Sequence, residues 1–278
     1  MRPELQNKID AAIRLLKAYD NPDNPVEIAY SGGKDSDVIL QLAKEAGIHF
    51  RAIYKNTTID PPGTIKHAEQ MGVEIRRPEK RFFQLIDECG LPNRNYRFCC
   101  DVLKEYKVLD KQVQGIRKCE SRSRDERYQE PTACRLYCKD EHVELVYPIL
   151  EWTDEDVAEF IADRCIKCAP LYYDEQGNFH VERRLGCIGC PLQSRGKRIK
   201  QFKQYPGIFR QWVKHLRKFQ ETHPDAKVIT KYGYEDEYEQ IYRDIFCESQ
   251  TKFNELKGGL FGKPDFKGFL EKTFGIQL

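Results

Sequence analysis

Apolar positions in the first half of the chain alternate between helical spacing and short continuous runs. Leu5, Ile9, Ile13 and Leu16 recur among charged residues at the spacing of an amphipathic helix. The predicted elements that follow are a strand at 26–30, a helix through Val38 that ends at Gly47, a strand at 50–54, a helix near 64–70 and a strand at 73–75. This alternation predicts a three-layer α/β fold, with a parallel sheet and helices on both of its faces.

The second half of the chain has a different pattern. A further strand is predicted at 143–149, and Thr153 with Asp156 three residues later predicts the capped start of a helix. From about Cys165 onward, cysteines, basic residues and aromatic residues dominate, and the spacing is mainly helical. We therefore expect an α/β domain at 1–164 and a mainly helical, cysteine-bearing region at 165–278.

The composition is that of an ordinary folded chain, with 40% hydrophobic and 32% charged residues. The net charge of +2 favours no class of partner. The amino-terminal helix lacks the apolar run of a signal peptide, and no stretch reaches the roughly 18 apolar residues of a membrane span. We expect a cytoplasmic protein with no membrane partner, whose eleven cysteines serve metal binding or redox chemistry rather than disulfides.

A glycine turn joins the strand at 26–30 to the helix that follows it. Its residues, called the phosphate loop below, are Ser31, Gly32, Gly33, Lys34, Asp35 and Ser36. Glycine permits a sharp turn and a close approach of backbone N–H groups to a ligand, and a helix N-terminus attracts phosphate oxygens. The alternative is a tight turn without a ligand, but the six residues in a strand–turn–helix context favour phosphate binding. The spacing differs from that of a Walker A loop.

The phosphate loop resembles the Ser-Gly-Gly-x-Asp-Ser loop of the PP-loop adenine nucleotide α-hydrolases. Further segments resemble one branch of that superfamily, the phosphoadenosine phosphosulfate (PAPS) reductase-like proteins. They are 54–64, the Cys-Cys element at 97–104, Gly115-Ile116-Arg117 with Ser121 and Arg124, the stretch from Pro148 through Trp152 to Val157, 169–172, and the Cys-x-x-Cys at 187–190. The segments follow one another in the family's order, and the resemblance fades after residue 191.

The resemblance implies an adenine nucleotide as ligand: ATP, adenylyl sulfate or PAPS, with or without Mg²⁺. The implied binding residues are Ser31, Gly32, Gly33, Lys34, Asp35, Ser36, Thr57, Arg117, Ser121 and Arg124. Catalytic roles are implied for Lys34, Asp35, Arg117 and Arg124. Without the resemblance, the arginines at 117–127 fit a solvated charged face equally well, although guanidinium groups suit bidentate phosphate binding.

The cysteines allow two metal sites. In the first, Cys99, Cys100, Cys187 and Cys190 ligate a [4Fe–4S] cluster, as the resemblance implies. In the second, the pairs Cys165, Cys168 and Cys187, Cys190 form a zinc site, and their spacing taken alone favours this alternative. The cluster is our preferred hypothesis. Cys134 and Cys138 are assigned no role.

The carboxyl-terminal region departs from the reductases that the chain resembles. Those enzymes carry a Glu-Cys-Gly motif whose thiolate attacks sulfur, whereas the last cysteine here is Cys247 in an apolar helical pattern. We expect Cys247 to be a buried structural residue.

Residues 191–220 contain nine basic residues and no acidic one. They are Arg195, Lys197, Arg198, Lys200, Lys203, Arg210, Lys214, Arg217 and Lys218. Phe209, Trp212, Leu216 and Phe219 recur at helical spacing, so we expect them to pack inward and the basic residues to face outward. The outer surface is either a solvated face, balanced by the acidic run 235–237, or a nucleic-acid contact through 195–218.

These patterns predict a PAPS reductase-like enzyme of sulfur metabolism that performs sulfonucleotide reduction or related sulfur transfer with a thiol-based donor. One alternative is an ATP-dependent adenylating enzyme of DNA phosphorothioation or tRNA thiolation, which the same branch includes. The other is a non-catalytic nucleotide-sensing or partner-binding module. The oligomeric state stays open.

Overall fold

The computed structural model describes residues 1–137, 141–258 and 264–278. Cys138 therefore lies outside the described residues. The elements, in chain order, are α1 (Pro3–Ala18), β1 (Val26–Tyr30), α2 (Lys34–Ala46), β2 (Phe50–Lys55), α3 (Thr64–Gln70), β3 (Glu74–Arg76), α4 (Phe82–Cys89), α5 (Phe98–Leu103), β4 (Lys111–Val113), α6 (Arg122–Arg127), β5 (Thr132–Tyr137), β6 (Glu141–Val146), α7 (Asp154–Asp163), α8 (Arg195–Gln204), α9 (Pro206–Thr222), α10 (Lys227–Tyr232), α11 (Glu237–Phe246), α12 (Gln250–Lys257) and α13 (Phe266–Phe274).

The sheet has six strands in the order β3-β2-β1-β4-β6-β5. Neighbouring strands are parallel except β5, which forms an antiparallel edge with β6. In β6, Val146 belongs to the core that includes α1 and α2, whereas Val143 and Leu145 belong to a second apolar cluster. Because alternate strand residues point to opposite faces, the sheet is covered on both sides. The predicted α/β class with helices on both faces is confirmed.

Local signals begin and end the helices as the sequence predicts. Gly47 adopts a left-handed conformation, with φ of 67°, at the end of α2. Thr153 caps α7, since its hydroxyl accepts the Asp156 N–H at 3.2 Å while the Asp156 carboxylate accepts the Thr153 N–H at 2.9 Å. No helix among the described residues is both long enough and apolar enough to span a membrane.

The chain divides into two compact units. The first unit is Met1–Asn56, Asp60–Pro78 and Val102–Gly186, and it holds the whole sheet. The second unit is Thr57–Ile59, Glu79–Asp101 and Cys187–Leu278, and it is helical. The proposed division between residues 164 and 165 stays a prediction.

Aromatic side chains form the core of the second unit. As predicted, Phe209, Trp212, Leu216 and Phe219 of α9 are buried. The ring centres of Trp212 and Phe82 of α4 lie 5.3 Å apart. The prediction that the basic residues face outward is wrong for Arg198. This residue is buried because its guanidinium pairs with Asp244 and donates to the carbonyl of Gly189 at 3.1 Å.

Candidate functional site

The two glycines of the phosphate loop occupy positions where a side chain does not fit. Gly32 has φ of 76°, and a Cβ there would lie 2.8 Å from Cγ2 of Thr64. A Cβ on Gly33 would lie 3.2 Å from the hydroxyl of Tyr172. The backbone therefore turns sharply between β1 and α2, against residues of the same unit. The positive end of the α2 dipole faces this turn, as an anion site requires.

Hydroxyl groups of the loop fix its shape. The Ser36 hydroxyl donates to the Gly33 carbonyl at 2.7 Å and lies 3.3 Å from the Ser31 hydroxyl. The Gly33 N–H donates to the Ser31 hydroxyl at 3.3 Å. These bonds hold the turn in one conformation before any ligand binds, which lowers the entropic cost of binding.

Three of the four predicted catalytic residues form a chain of opposite charges. The Lys34 ammonium lies 3.1 Å from one oxygen of Asp35, and Nε of Arg117 donates to the other oxygen at 2.8 Å. Nη2 of Arg117 also donates to Asp154 at 2.8 Å. Burial alone would lower the pKa of Arg117, but Asp35 and Asp154 outweigh it and raise that pKa. A Cβ on Gly115 would lie 3.2 Å from the Asp35 backbone, so the chain after β4 packs directly against the loop.

Arg124, the fourth predicted catalytic residue, lies within electrostatic range of Asp35 and Arg117. Ser121 caps the helix that carries it, because the Ser121 hydroxyl accepts the Arg124 N–H at 3.3 Å. Arg124 pairs with Glu120. Burial, and then the nearby charge of Arg184, lower the pKa of Arg124. The structure thus brings Lys34, Asp35, Arg117 and Arg124 into one group.

Arg184 is a candidate that the sequence analysis missed. Its guanidinium donates to the Glu120 carbonyl at 2.7 Å and adds positive charge beside Arg124. The sequence feature that could have pointed to Arg184 was its position just before the Gly-Cys-x-x-Cys segment at 186–190. Spacing alone does not show that residue 184 returns to the segment around residue 120.

A buried polar network behind the loop was also missed. Asp37, which is 0% exposed, accepts the Tyr30 hydroxyl at 2.5 Å, and Nε2 of His67 lies 3.0 Å from it. The Cys168 thiol bonds to the same carboxylate. Burial raises the pKa of Asp37, and hydrogen bonds to His67 and Tyr30 offset part of that rise. The network ties β1, α2 and α3 together directly behind the loop.

The four cysteines predicted to hold a cluster, called the thiol quartet below, all belong to the second unit. Cys99 and Cys100 lie in the first turn of α5, and a turn carries Cys187 and Cys190, with the Cys190 N–H donating to the Cys187 carbonyl at 3.3 Å. A hydrogen bond with Cys100, burial, and the charges of Cys100, Cys187 and Cys190 raise the pKa of the Cys99 thiol. The other three thiols of the quartet are therefore within electrostatic range of Cys99.

The quartet has the donor chemistry of a [4Fe–4S] cluster, which four thiolates hold. The four side chains are not arranged around a single metal ion. Among the described residues, no three His, Cys, Asp or Glu side chains are placed to hold one. Thr57, predicted to bind nucleotide, has its hydroxyl 3.5 Å from the Cys187 sulfur.

The pair Cys165 and Cys168, required by the zinc alternative, belongs to the first unit. Cys165 is exposed, whereas Cys168 is buried against Asp37. Burial, and then the charge of Asp37, raise the pKa of the Cys168 thiol. The zinc alternative stays untested.

Cys247 is 8% exposed and packs in an apolar cluster with Phe253 and Phe266. Burial raises the pKa of its thiol. The predicted burial of Cys247 is confirmed, and its structural role stays a prediction.

Comparison with known proteins identifies the family. The model of the phosphoadenosine phosphosulfate reductase domain matches residues 25–193, which is more than half of the chain. The uncharacterized protein MJ0066 of Methanocaldococcus jannaschii is 30% identical over 232 residues, covering 76% of this chain and 46% of that protein. MJ0973 of the same organism is 26% identical over 225 residues, covering 75% and 52%. The chain thus spans about half the length of these relatives.

Two solved structures are distantly similar to the chain. PAPS reductase from Candida auris in a phosphate complex has 13% identity and a TM-score of 0.45, and the match covers 67% of this chain and 96% of that one. The U34-tRNA thiolase NcsA from Methanococcus maripaludis, with its [4Fe–4S] cluster, has 16% identity and a TM-score of 0.40, with coverage of 78% and 80%. On the domain match, the chain belongs to the phosphoadenosine phosphosulfate reductase domain family.

Proposed function

We propose that this chain is an enzyme of sulfur metabolism that binds an adenine nucleotide at the phosphate loop and carries out sulfonucleotide reduction or related sulfur transfer. The observation that carries the proposal is the group formed by Lys34, Asp35, Arg117 and Arg124 at the N-terminus of α2. Backbone N–H groups, a helix dipole and the cations of Lys34 and Arg117 meet there, with Arg124 within electrostatic range, and this combination suits phosphate, phosphosulfate or pyrophosphate.

Each residue of this group has a distinct expected role. Arg117 is held by Asp35 and Asp154, so its planar fork is oriented before the ligand arrives. Burial and the charge of Arg184 lower the pKa of Arg124, so they destabilise its charged form. An anion that binds beside Arg124 would stabilise the charged guanidinium again. Asp35, an oxygen donor at the loop, is the candidate ligand for a Mg²⁺ ion that accompanies the nucleotide. Lys34 then balances charge that develops on the reacting phosphate or sulfonate oxygens.

The thiol quartet supports sulfur chemistry over simple nucleotide binding. The hydrogen bond with Cys100, then burial and the charges of the neighbouring thiols, raise the pKa of Cys99, and a bound metal group would stabilise the thiolates. Cys99, Cys100, Cys187 and Cys190 would hold a [4Fe–4S] cluster. When bound, such a cluster would supply electrons for reductive chemistry.

Cys247 favours a second candidate reaction. A nucleophile that attacks the sulfur of a sulfonucleotide must be accessible and ionised, whereas Cys247 is buried with a raised pKa. In ATP-dependent adenylation, an oxygen of a nucleic acid attacks the α-phosphorus, and pyrophosphate leaves from the same loop. DNA phosphorothioation and tRNA thiolation are reactions of this kind, and they need no thiol at residue 247.

The test is to incubate the anaerobically purified protein with adenylyl sulfate, with PAPS, and with ATP plus nucleic acid. Release of sulfite supports sulfonucleotide reduction, and release of pyrophosphate supports adenylation. Nucleotide binding without either product contradicts the proposed chemistry and leaves the nucleotide-sensing module. The protein with Lys34→Ala serves as the control, because either product must depend on the loop.

A further inference from the structure

We propose that the second unit contains a binding site for single-stranded nucleic acid, separate from the phosphate loop. The site is a cavity of about 1290 Å³, called the basic cavity below. Its walls come from residues 91–96, 191–198 and 227–248. The proposal does not depend on the reaction proposed above, because strand binding can be measured without any nucleotide.

The walls of the basic cavity carry an excess of positive charge. Among the described residues, the basic ones that line it are Arg94, Arg195, Arg198, Lys227, Lys231 and Arg243, and the acidic ones are Asp244 and Glu248. Arg198 is neutralised by Asp244. Lys227 and Lys231 are exposed and one helical turn apart on α10, so their ammonium groups share one face of that helix. Clustered, exposed cations are the usual partners of a phosphate backbone.

Two tyrosines on the same walls are exposed to solvent. Tyr96 is 54% exposed and Tyr232 is 37% exposed, and both are among the large hydrophobic residues that the fold leaves uncovered. The Lys231 ammonium lies 5.2 Å from the centre of the Tyr232 ring. Alternating cations and aromatic faces match a strand whose phosphates alternate with stacking bases. An acidic peptide would use the cations but not the ring faces.

The size of the basic cavity favours a polymer over a small ligand. Sites for small molecules have volumes of roughly 300 to 1,000 Å³, and this cavity is larger. Its cations come from three separate segments of the chain. The exposed tyrosines favour a single strand over a duplex, because the bases of a single strand are free to stack on aromatic rings.

The basic cavity lies beside the turn that carries half of the thiol quartet. Gln193, one of its lining residues, donates from Nε2 to the Cys187 carbonyl at 3.2 Å. Arg94, another lining residue, donates to the carbonyl of Pro191, the residue that follows Cys190, at 3.3 Å. A strand in the cavity would therefore run alongside Cys187 and Cys190. The nine basic residues at 195–218 all belong to the described part of the chain. Two of them, Arg195 and Arg198, line the basic cavity.

The test is fluorescence anisotropy with labelled RNA and DNA single strands of about 12 nucleotides and the matching duplex, without nucleotide. The double variant Lys227→Ala, Lys231→Ala should bind single strands at least about tenfold more weakly, with a salt slope smaller by about 1.4. The double variant Tyr96→Ala, Tyr232→Ala should weaken binding at least about fivefold with the salt slope unchanged. Tighter binding of either RNA or DNA supports the site and identifies the type of strand that it binds.

The matched control is Lys200→Ala, Lys203→Ala, which removes two exposed charges of α8 that do not line the basic cavity. It should change the affinity by less than about twofold. Thermal unfolding of each variant shows that the fold is retained. The proposal fails if single strands do not bind, if the duplex binds as tightly, or if the control loses as much affinity as the α10 variant.

Discussion

Arg117 and Asp35 are 82 residues apart in sequence and joined by a 2.8 Å hydrogen bond between Nε and Oδ1. Arg117 is 1% exposed, and its other side-chain nitrogens reach Asp154, Cys119 and the Trp152 carbonyl. The pair connects the strand–turn–helix at residue 31 with the segment after β4. The Arg117 guanidinium therefore holds the loop in place, and it is also predicted to contact the ligand.

Replacing Arg117 by lysine should weaken nucleotide binding while retaining the charge. A lysine ammonium cannot reproduce the fork that contacts Asp35 and Asp154 together, so we expect an affinity loss of roughly tenfold or more. Isothermal titration with ATP measures it. The matched control is Arg122→Lys, since Arg122 is exposed and pairs with Glu126 of the same helix. Equal affinities of the two variants for ATP would show that Arg117 does not contact the nucleotide.

Gly32→Ala should destabilise the protein more than Gly47→Ala, although both glycines have positive φ. Both Gly32 and Gly47 have positive φ, so alanine costs about 1–2 kcal/mol of stability at either position. At Gly32 the new Cβ also meets Thr64 at 2.8 Å, whereas at Gly47 nothing lies within 4 Å. We expect a larger loss of unfolding free energy in urea for Gly32→Ala. Similar losses for the two variants would contradict the close packing of the loop.

Alkylation should distinguish the two cysteines of the Cys165-x-x-Cys168 pair. Burial and the Asp37 carboxylate raise the pKa of Cys168, so its reactive thiolate fraction stays low near neutral pH and grows only as the pH rises above the usual thiol range. Cys165 is exposed. With iodoacetamide at about pH 8, peptide mass spectrometry should find Cys165 modified well before Cys168. Equal rates would show that Cys168 is not held against Asp37.

Iron content should follow the thiol quartet and not the Cys165-x-x-Cys168 pair. We expect Cys99→Ser and Cys187→Ser to lower the iron and sulfide content of anaerobically purified protein, because each variant removes one of the four thiolates that would hold the cluster. Cys165→Ser should keep both. Colourless protein that contains zinc, and that loses it in Cys165→Ser, would establish the zinc alternative instead.

Cys247→Ser should leave the enzyme's turnover unchanged. Cys247 is enclosed by Phe253 and Phe266, and burial raises its pKa. Any sulfite or pyrophosphate release should therefore match that of the wild type. A loss of sulfite release, with the melting temperature retained, would make Cys247 the nucleophile.

Periodicity predicted the elements near the phosphate loop because each has a long or strongly apolar pattern. It missed β4, a three-residue strand whose Gln112 is buried only because Nε2 donates to Glu27 of β1 at 2.7 Å. It also missed β5, whose residues Ala133 and Cys134 are exposed at the sheet edge and carry no apolar alternation. Polar burial and edge exposure both remove the signal that periodicity uses.

The candidate site was predicted as separate motifs rather than as contacts. Family resemblance supplied Arg117 and Arg124, but not the bonds from Arg117 to Asp35 and Asp154. The approach of Cys168 to Asp37 joins residues 131 positions apart, and no local rule relates them. Such pairings depend on the whole fold, so the sequence named the participants and the structure supplied their partners.

The most direct test of the central claim is calorimetric titration of the protein with ATP, adenylyl sulfate and PAPS. At least one nucleotide should bind saturably at one site per chain, and this binding should be lost in Gly32→Ala but kept in Gly47→Ala. If no nucleotide binds, or if both glycine variants bind like the wild type, the phosphate loop is not an adenylate site.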